Sequence, residues 1–178
     1  MPVKSIPISK TKIVVPNRRP ELLSRPRLLE NLKALLDNKL ILLSAPAGYG
    51  KTSLLIDLAH HADMPVCWLS LDLLDRDPQR FIAYLIASLS QRFPGIGATS
   101  RARLSQLKSI EQDAEAILVL LTNEIYDQVE DDFLLIMDDY HLLDDEPVIS
   151  RLVNRILELA EENCHVILSS RTLPSLED

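Results

Sequence analysis

The amino-acid sequence predicts an α/β fold in which a mostly parallel sheet lies between two layers of helices. Short apolar segments alternate along the 178 residues with longer segments whose apolar positions recur every three or four residues. A glycine-rich segment follows the first apolar strand, and two carboxylates follow the third. Strands that alternate with helices usually form a parallel sheet, because each crossover places a helix on one face.

The individual elements follow from apolar runs, periodicity and proline positions. Continuously apolar runs predict four strands, at residues 40–43, 66–69, 133–137 and 166–168. Helices are predicted at residues 26–37, from 51 to 60 or 61, from Pro78, at 101–107, and from Pro147. Ser109 and Gln112 have the spacing of a capping box, which predicts the start of a long helix that reaches Val129.

The glycine-rich segment has the composition of a phosphate-binding loop. It follows the Walker A pattern G-x-x-x-x-G-K-[ST], with Ala45 in place of the first glycine, and it lies between a strand and a helix. Gly48 and Gly50 let the backbone turn several N–H groups toward a phosphate. Lys51 can reach the β- and γ-phosphates, and the Thr52 hydroxyl can ligate Mg²⁺. Nucleotide contacts are therefore predicted at Pro46, Ala47, Gly48, Tyr49, Gly50, Lys51, Thr52 and Ser53.

Two further positions at strand ends complete the predicted site. Asp138 and Asp139 follow the third strand, as in a Walker B motif. A carboxylate there can hold a divalent cation, so Asp138 is predicted to ligate Mg²⁺ together with Thr52, and Asp139 to orient the attacking water. Arg171 follows the fourth strand and is predicted to stabilise charge in the transition state. The alternative for Arg171 is an exposed arginine without a chemical role.

Charge is distributed unevenly along the chain. The net charge is −7, but residues 1–27 carry +6 and the remainder −13. Residues 1–24 are therefore described as a basic, proline-rich arm and residues 25–178 as a nucleotide-binding domain. The arm is either solvated or folded back over the nucleotide. An acidic domain without a basic recognition helix is not expected to bind DNA directly.

The composition also indicates a compartment. Cys67 and Cys164 each lie in an apolar run without metal-ligand spacing, which is typical of buried thiols. No apolar run is long enough to cross a membrane or to act as a secretory signal. A cytoplasmic location is therefore expected.

Several segments together resemble one family. The loop at 44–52, the segment Met137-Asp138-Asp139-Tyr140-His141-Leu142, and upstream segments at 12–16 and 23–29 are similar to the ATPase module of MalT-like transcriptional activators. These are large regulators of the LuxR family and of the STAND class of signalling NTPases. The resemblance extends through Trp68-Leu69-Ser70-Leu71-Asp72 and Ser169-Ser170-Arg171, and thus over nearly the whole chain.

The resemblance implies an ATP-dependent switch. In this family ATP favours an active oligomer and slow hydrolysis resets it, so ATP or ADP, Mg²⁺ and self-association of the full-length protein are implied. It also implies sensor and DNA-binding domains beyond this chain, and a position for Arg25 near the nucleotide. Two alternatives remain: a constitutive P-loop ATPase or small-molecule kinase, and an interaction module that binds nucleotide only for stability.

The same reasoning predicts the strand order. P-loop ATPases with a strand inserted between the loop strand and the acidic strand have the order 5-1-4-3-2. The four strands are therefore expected as 1-4-3-2, in a three-layer sandwich whose fifth strand is missing from this fragment. The loop strand would then form an open edge, unless the arm or another molecule covers it.

Overall fold

The computed structural model describes residues 5–107 and 109–176. Its sheet contains four strands, Leu40–Ser44 (β1), Val66–Ser70 (β2), Phe133–Asp138 (β3) and Cys164–Ser170 (β4). They are arranged in the order β1-β4-β3-β2, and every neighbouring pair is parallel. The predicted order is confirmed. It places the carboxyl ends of β1, β4 and β3 side by side, which is where ligands bind in open α/β sheets.

Helices cover both faces of this sheet. The α-helices among the described residues are Lys10–Ile13 (α1), Pro26–Lys33 (α2), Lys51–His61 (α3), Pro78–Arg92 (α4), Ala98–Ser105 (α5), Ile110–Gln128 (α6) and Pro147–Leu159 (α7). Short 3₁₀ turns follow β2 at Leu73–Arg76 and β3 at Tyr140–Leu142. No helix in the described ranges is long and apolar enough to cross a membrane.

The alternation of side chains along the strands creates two apolar layers. Leu135 and Leu168 belong to the layer that contains α4, α6 and α7, whereas Ile136 and Ile167 belong to the layer that contains α2 and α3. Three of these four side chains are completely buried and Leu135 is nearly so. Since β3 and β4 are covered on both faces, their continuous apolar runs match their central position.

Helix α2 is shorter than the sequence predicted. It ends at Lys33, not near residue 37. The amide of Leu35 bonds to the carbonyl of Leu32, three residues back, and the Asn38 side chain donates to the carbonyl of Leu35 at 2.9 Å. These tighter bonds replace the α-helical pattern at the end of the helix.

Helix α5 covers Ala98–Ser105, so the predicted range of 101–107 was displaced toward the carboxyl end. The cause is Glu124 on α6. Its carboxylate accepts hydrogen bonds from the amides of Gly97 (3.1 Å) and Thr99 (2.6 Å) and from the Ser100 hydroxyl (2.7 Å). A neighbouring helix therefore caps the start of α5, and the local sequence does not reveal this.

The capping box predicted before α6 is not formed. Ser109 is the residue before the helix, as expected, but its side chain makes no capping hydrogen bond. Glu111 and Asp113 place negative charge in the first turn instead, where it interacts favourably with the positive end of the helix dipole.

The amino-terminal residues from 5 onward lie against β2 and α4. Ile13 on α1 is buried in the same layer as Leu69 and Phe81. The Lys12 ammonium contacts Asp72 at 2.7 Å and Asp75 at 2.5 Å. This segment therefore packs at the β2 side of the sheet.

Strand β1 lies at the opposite edge. It pairs with β4 on one side, and the side chain of Leu42 remains 40% exposed. Residues 5–24, the described part of the arm, form no strand beside this edge, an arrangement that the sequence had left open.

Candidate functional site

The loop between β1 and α3 has the backbone that its glycines predict. Gly48 and Gly50 have φ values of 84° and 74°, which lie in a region that residues other than glycine rarely adopt. A Cβ at Gly50 would also lie 2.6 Å from Nη2 of Arg25. Glycine at position 50 is thus required by the backbone, and a side chain there would also displace the Arg25 guanidinium.

Lys51 opens α3 and folds back over this loop. Its ammonium donates to the carbonyl oxygens of Ala45 and Pro46, the latter at 3.2 Å. The residue is only 9% exposed. The two carbonyls satisfy the charge of Lys51 within the loop, at the position from which a Walker A lysine contacts phosphate.

Thr52 and Asp138 lie in direct contact although 86 residues separate them in the chain. The Thr52 hydroxyl donates to Oδ2 of Asp138 at 2.7 Å. The second carboxylate oxygen of Asp138 accepts a hydrogen bond from the hydroxyl of Ser169 on β4. Asp138 is 3% exposed, so both of its oxygens are held by hydroxyl groups in a buried position.

Ser169 also contacts the neighbouring acidic residue. Its hydroxyl oxygen accepts a hydrogen bond from the amide of Asp139 at 3.0 Å. Sequence reasoning selected Arg171 from this strand end and missed Ser169. The alternation along β4 could have indicated it, because Ser169 lies two residues after Ile167 and therefore on the face that carries α3.

Asp139 adopts a left-handed conformation with φ 62° and ψ 37°, and its side chain remains 48% exposed. Burial and the adjacent Asp138 raise the pKa of this carboxyl above its ordinary value, while His141, Arg171 and Lys51 act in the opposite direction. Asp139 thus lies at the solvent side of the buried pair formed by Thr52 and Asp138.

His141 is a neighbour to which the sequence assigned no chemistry. Its Nδ1 lies 4.0 Å from Oδ1 of Asp139, and its side chain is 12% exposed. Neither ring nitrogen has a hydrogen-bond partner within the described residues. Burial lowers the pKa of His141, Asp139 raises it, and Arg171 and Lys51 lower it further. The sequence feature that could have indicated this residue is its position two residues after Asp139, in the segment Asp-Asp-Tyr-His.

The remaining predicted residues lie in or next to the loop and differ in how far they are buried. Arg171 is exposed directly after β4, and its charge acts on both Asp139 and His141. Arg25 donates to the carbonyl oxygens of Tyr49 (2.9 Å) and Gly50 (2.6 Å). Ser53 is half-buried in the first turn of α3, and Pro46, Ala47, Gly48 and Tyr49 are exposed.

The Thr52 and Asp138 pair fits the requirements of Mg²⁺ better than those of a transition metal. One hydroxyl and one carboxylate are oxygen donors of the kind that Mg²⁺ prefers, with phosphate and water as the other ligands. No group of three or more His, Cys, Asp or Glu side chains suited to a metal occurs in the part of the chain that the structure describes.

Comparison with known proteins agrees with the resemblance that the motifs indicated. No protein-family model matches the chain. It is similar to the HTH-type transcriptional regulators MalT of Serratia proteamaculans (38% identity over 166 residues), Yersinia enterocolitica (34% over 167) and Vibrio cholerae (32% over 170). Each match covers 93% of this chain but 18% of the relative, so the chain spans less than a fifth of the length of these relatives.

Among solved structures, a Walker-type ATPase of Pyrococcus abyssi has a similar fold. Its TM-score is 0.50 at 19% sequence identity, and the match covers 86% of this chain and 47% of that chain. The relatives confirm the resemblance that the motifs suggested. Over 93% of its length the chain is similar to part of these MalT-named regulators, and it shares the α/β fold of the Walker-type ATPase.

Proposed function

We propose that this chain is an ATP-binding and slowly ATP-hydrolysing switch module of a signal-responsive transcriptional regulator of the STAND class. The observation that carries the proposal is the 2.7 Å contact between Thr52 and Asp138. It joins the residue after the loop lysine to the end of the acidic strand, as binding of a nucleotide with Mg²⁺ requires. The MalT-named relatives support the regulatory context, with cytoplasmic action and self-association of the whole protein as parts of the proposal.

In this proposal the loop amides and Lys51 bind the phosphates. Lys51 exchanges the carbonyls of Ala45 and Pro46 for phosphate oxygens, so its buried charge keeps a partner in both states. Thr52 and Asp138 would hold Mg²⁺, which supplies positive charge at the phosphate oxygens when it is bound. Asp139 orients the attacking water, and Arg171 stabilises negative charge that develops in the transition state.

The binding part of the proposal is tested with Lys51→Ala. Removal of one partner from a buried charged contact costs about 2–5 kcal/mol, which corresponds to a loss of affinity of about 30-fold or more. Calorimetric titration with MgATP measures this loss. Lys39→Ala is the matched control, because Lys39 is exposed at the other end of β1. Equal affinity of Lys51→Ala and Lys39→Ala for MgATP would refute the assignment of the loop.

The rate of ATP hydrolysis distinguishes the proposed switch from the alternative functions. We expect steady-state hydrolysis below the roughly 1–100 s⁻¹ that is typical of kinases, together with retention of ADP. Rapid multiple turnover would favour a constitutive ATPase or a kinase. Absence of hydrolysis in a single turnover, with tight binding intact, would favour an interaction module.

A further inference from the structure

One buried carboxylate on α3 binds the segment that leads to Arg25. Asp57 lies in the middle of α3 and its side chain is 3% exposed. One of its oxygens accepts a hydrogen bond from Nε of Arg18 at 2.6 Å, and the other accepts one from the hydroxyl of Ser24 at 3.1 Å. Asp57 therefore binds the chain at two points that are six residues apart, and the second point is adjacent to Arg25.

Arg25 reaches the phosphate-binding loop from this anchored segment. Its two terminal nitrogens contact the carbonyls of Tyr49 and Gly50. Helix α3 begins at Lys51, so the helix that holds Asp57 is also the one that continues directly from the loop. Arg25, the loop, α3, Asp57 and Ser24 thus form a closed ring of contacts.

The charge of Asp57 is maintained in this buried position. Burial would raise the pKa of its carboxyl, but the hydrogen bonds from Arg18 and Ser24 and the charge of Arg18 outweigh burial and lower it below the ordinary value. A buried carboxylate that is ionised and bonded through both oxygens fixes its partners more firmly than a solvated ion pair. The contact with Arg18 is of this kind.

We propose that Asp57 is a positioning residue for nucleotide binding, which anchors residues 18–24 to α3 and thereby holds Arg25 against the phosphate-binding loop. This inference rests on the proposed function, because it concerns the affinity of the loop for nucleotide. The side-chain hydrogen bonds of Asp57 join it to Arg18 and Ser24. It acts only through the segment that it anchors.

The proposal predicts that variants in this ring are not independent. Arg25→Ala removes charge-assisted bonds to the loop, and we expect it to weaken MgADP binding about tenfold. Asp57→Asn should weaken binding about three- to tenfold by releasing Arg25. The double variant should then bind MgADP as Arg25→Ala does, since Asp57 has no effect once Arg25 is absent. Calorimetric titration of the four proteins measures this coupling.

Because a change at buried Asp57 can also disturb folding, Arg18→Met provides a second route to the same anchor. The Arg18 side chain is 34% exposed, and its neighbour Arg19 is exposed, so Arg19→Met is the matched control. We expect Arg18→Met to weaken MgADP binding and Arg19→Met to leave it unchanged. Losses that multiply in the Asp57→Asn and Arg25→Ala double variant, or wild-type affinity of Arg18→Met, would overturn the proposal.

A measurement without nucleotide separates this inference from the proposed function. Amide hydrogen exchange at residues 47–50 of the free protein should accelerate in Arg25→Ala and also in Arg18→Met. Accelerated exchange only in Arg25→Ala would overturn the positioning role. If the wild type bound no MgADP while both variants accelerated exchange, the proposed function would fail but the role of Asp57 in holding Arg25 would stand.

Discussion

The contacts of Lys12 make a quantitative prediction about the amino-terminal segment. Its ammonium lies 2.7 Å from Oδ2 of Asp72, 2.5 Å from Oδ2 of Asp75 and 4.4 Å from the centre of the Tyr84 ring. The side chains of Lys12 and Asp75 are 13% and 0% exposed. Lys12→Met keeps the aliphatic stem and removes only the charge, so it tests the electrostatic contacts without opening a cavity.

The expected loss of folding stability is smaller than the loss seen when a buried charge keeps no partner at all. Breaking a buried ion pair from one side costs about 3–5 kcal/mol when the remaining charge is left alone. Asp75, however, keeps the Arg80 Nε at 3.2 Å and the amide of Asp72 at 2.8 Å. We therefore expect a decrease of about 2–3 kcal/mol in the free energy of unfolding. For a chain of this length that corresponds to a fall in melting temperature of about 4–12 °C.

Urea unfolding and thermal melting of three proteins measure this effect. Lys10→Met is the control, because Lys10 lies on the same short helix and is exposed. We expect wild-type stability for Lys10→Met and the full decrease for Lys12→Met. If the two variants were equally stable, the charge of Lys12 would not contribute to fixing the amino-terminal segment to the sheet.

Three other predictions concern the site, the pH response and DNA. Asp139→Asn should slow single-turnover hydrolysis more than it weakens MgATP binding, whereas Asp138→Asn should also weaken the Mg²⁺-dependent part of binding; unchanged hydrolysis in Asp139→Asn would refute this division of roles. The pKa of Glu124 would be raised by burial, but the bonds from Ser100, Thr99 and Gly97 lower it below its ordinary 4.5. The wild type should therefore have a higher free energy of unfolding in urea than Glu124→Gln. The full difference should be present above about pH 4.5 and should decline as the pH falls through the lower pKa of the folded state. A difference that does not depend on pH would contradict this prediction. Finally, residues 1–178 should show no sequence-specific footprint on duplex DNA at physiological salt, and any binding should come from the basic residues 1–27 and fade with added salt.

The sheet could be predicted because each strand is recognisable from its own apolar run. Residues 133–137 are continuously apolar and lie at the centre of the sheet as β3, with helices on both faces. The strand order was predicted from the known order of P-loop ATPases, to which the two motifs pointed. The start of α5 could not be predicted in this way, because Glu124 on another helix determines it.

The position of the arm depends on contacts that are distant in the sequence. Lys12 bonds to residues 60 and 63 positions away, and Arg18 bonds to Asp57, 39 positions away. Composition alone gave a basic, proline-rich segment, for which solvation and folding back were both open. The charges indicated that partners were needed but not which ones, since a count of charges contains no distances.

The candidate site shows a further limit of the sequence. Motif reasoning assigns Lys51, Thr52 and Asp138 to a ligand, but in this structure the same groups satisfy one another or the loop carbonyls. Buried polar groups require such partners, because an unpaired buried charge is strongly destabilising. Under the proposed function, nucleotide binding would replace these hydrogen bonds, so its net free energy would be smaller than the sum of the new contacts.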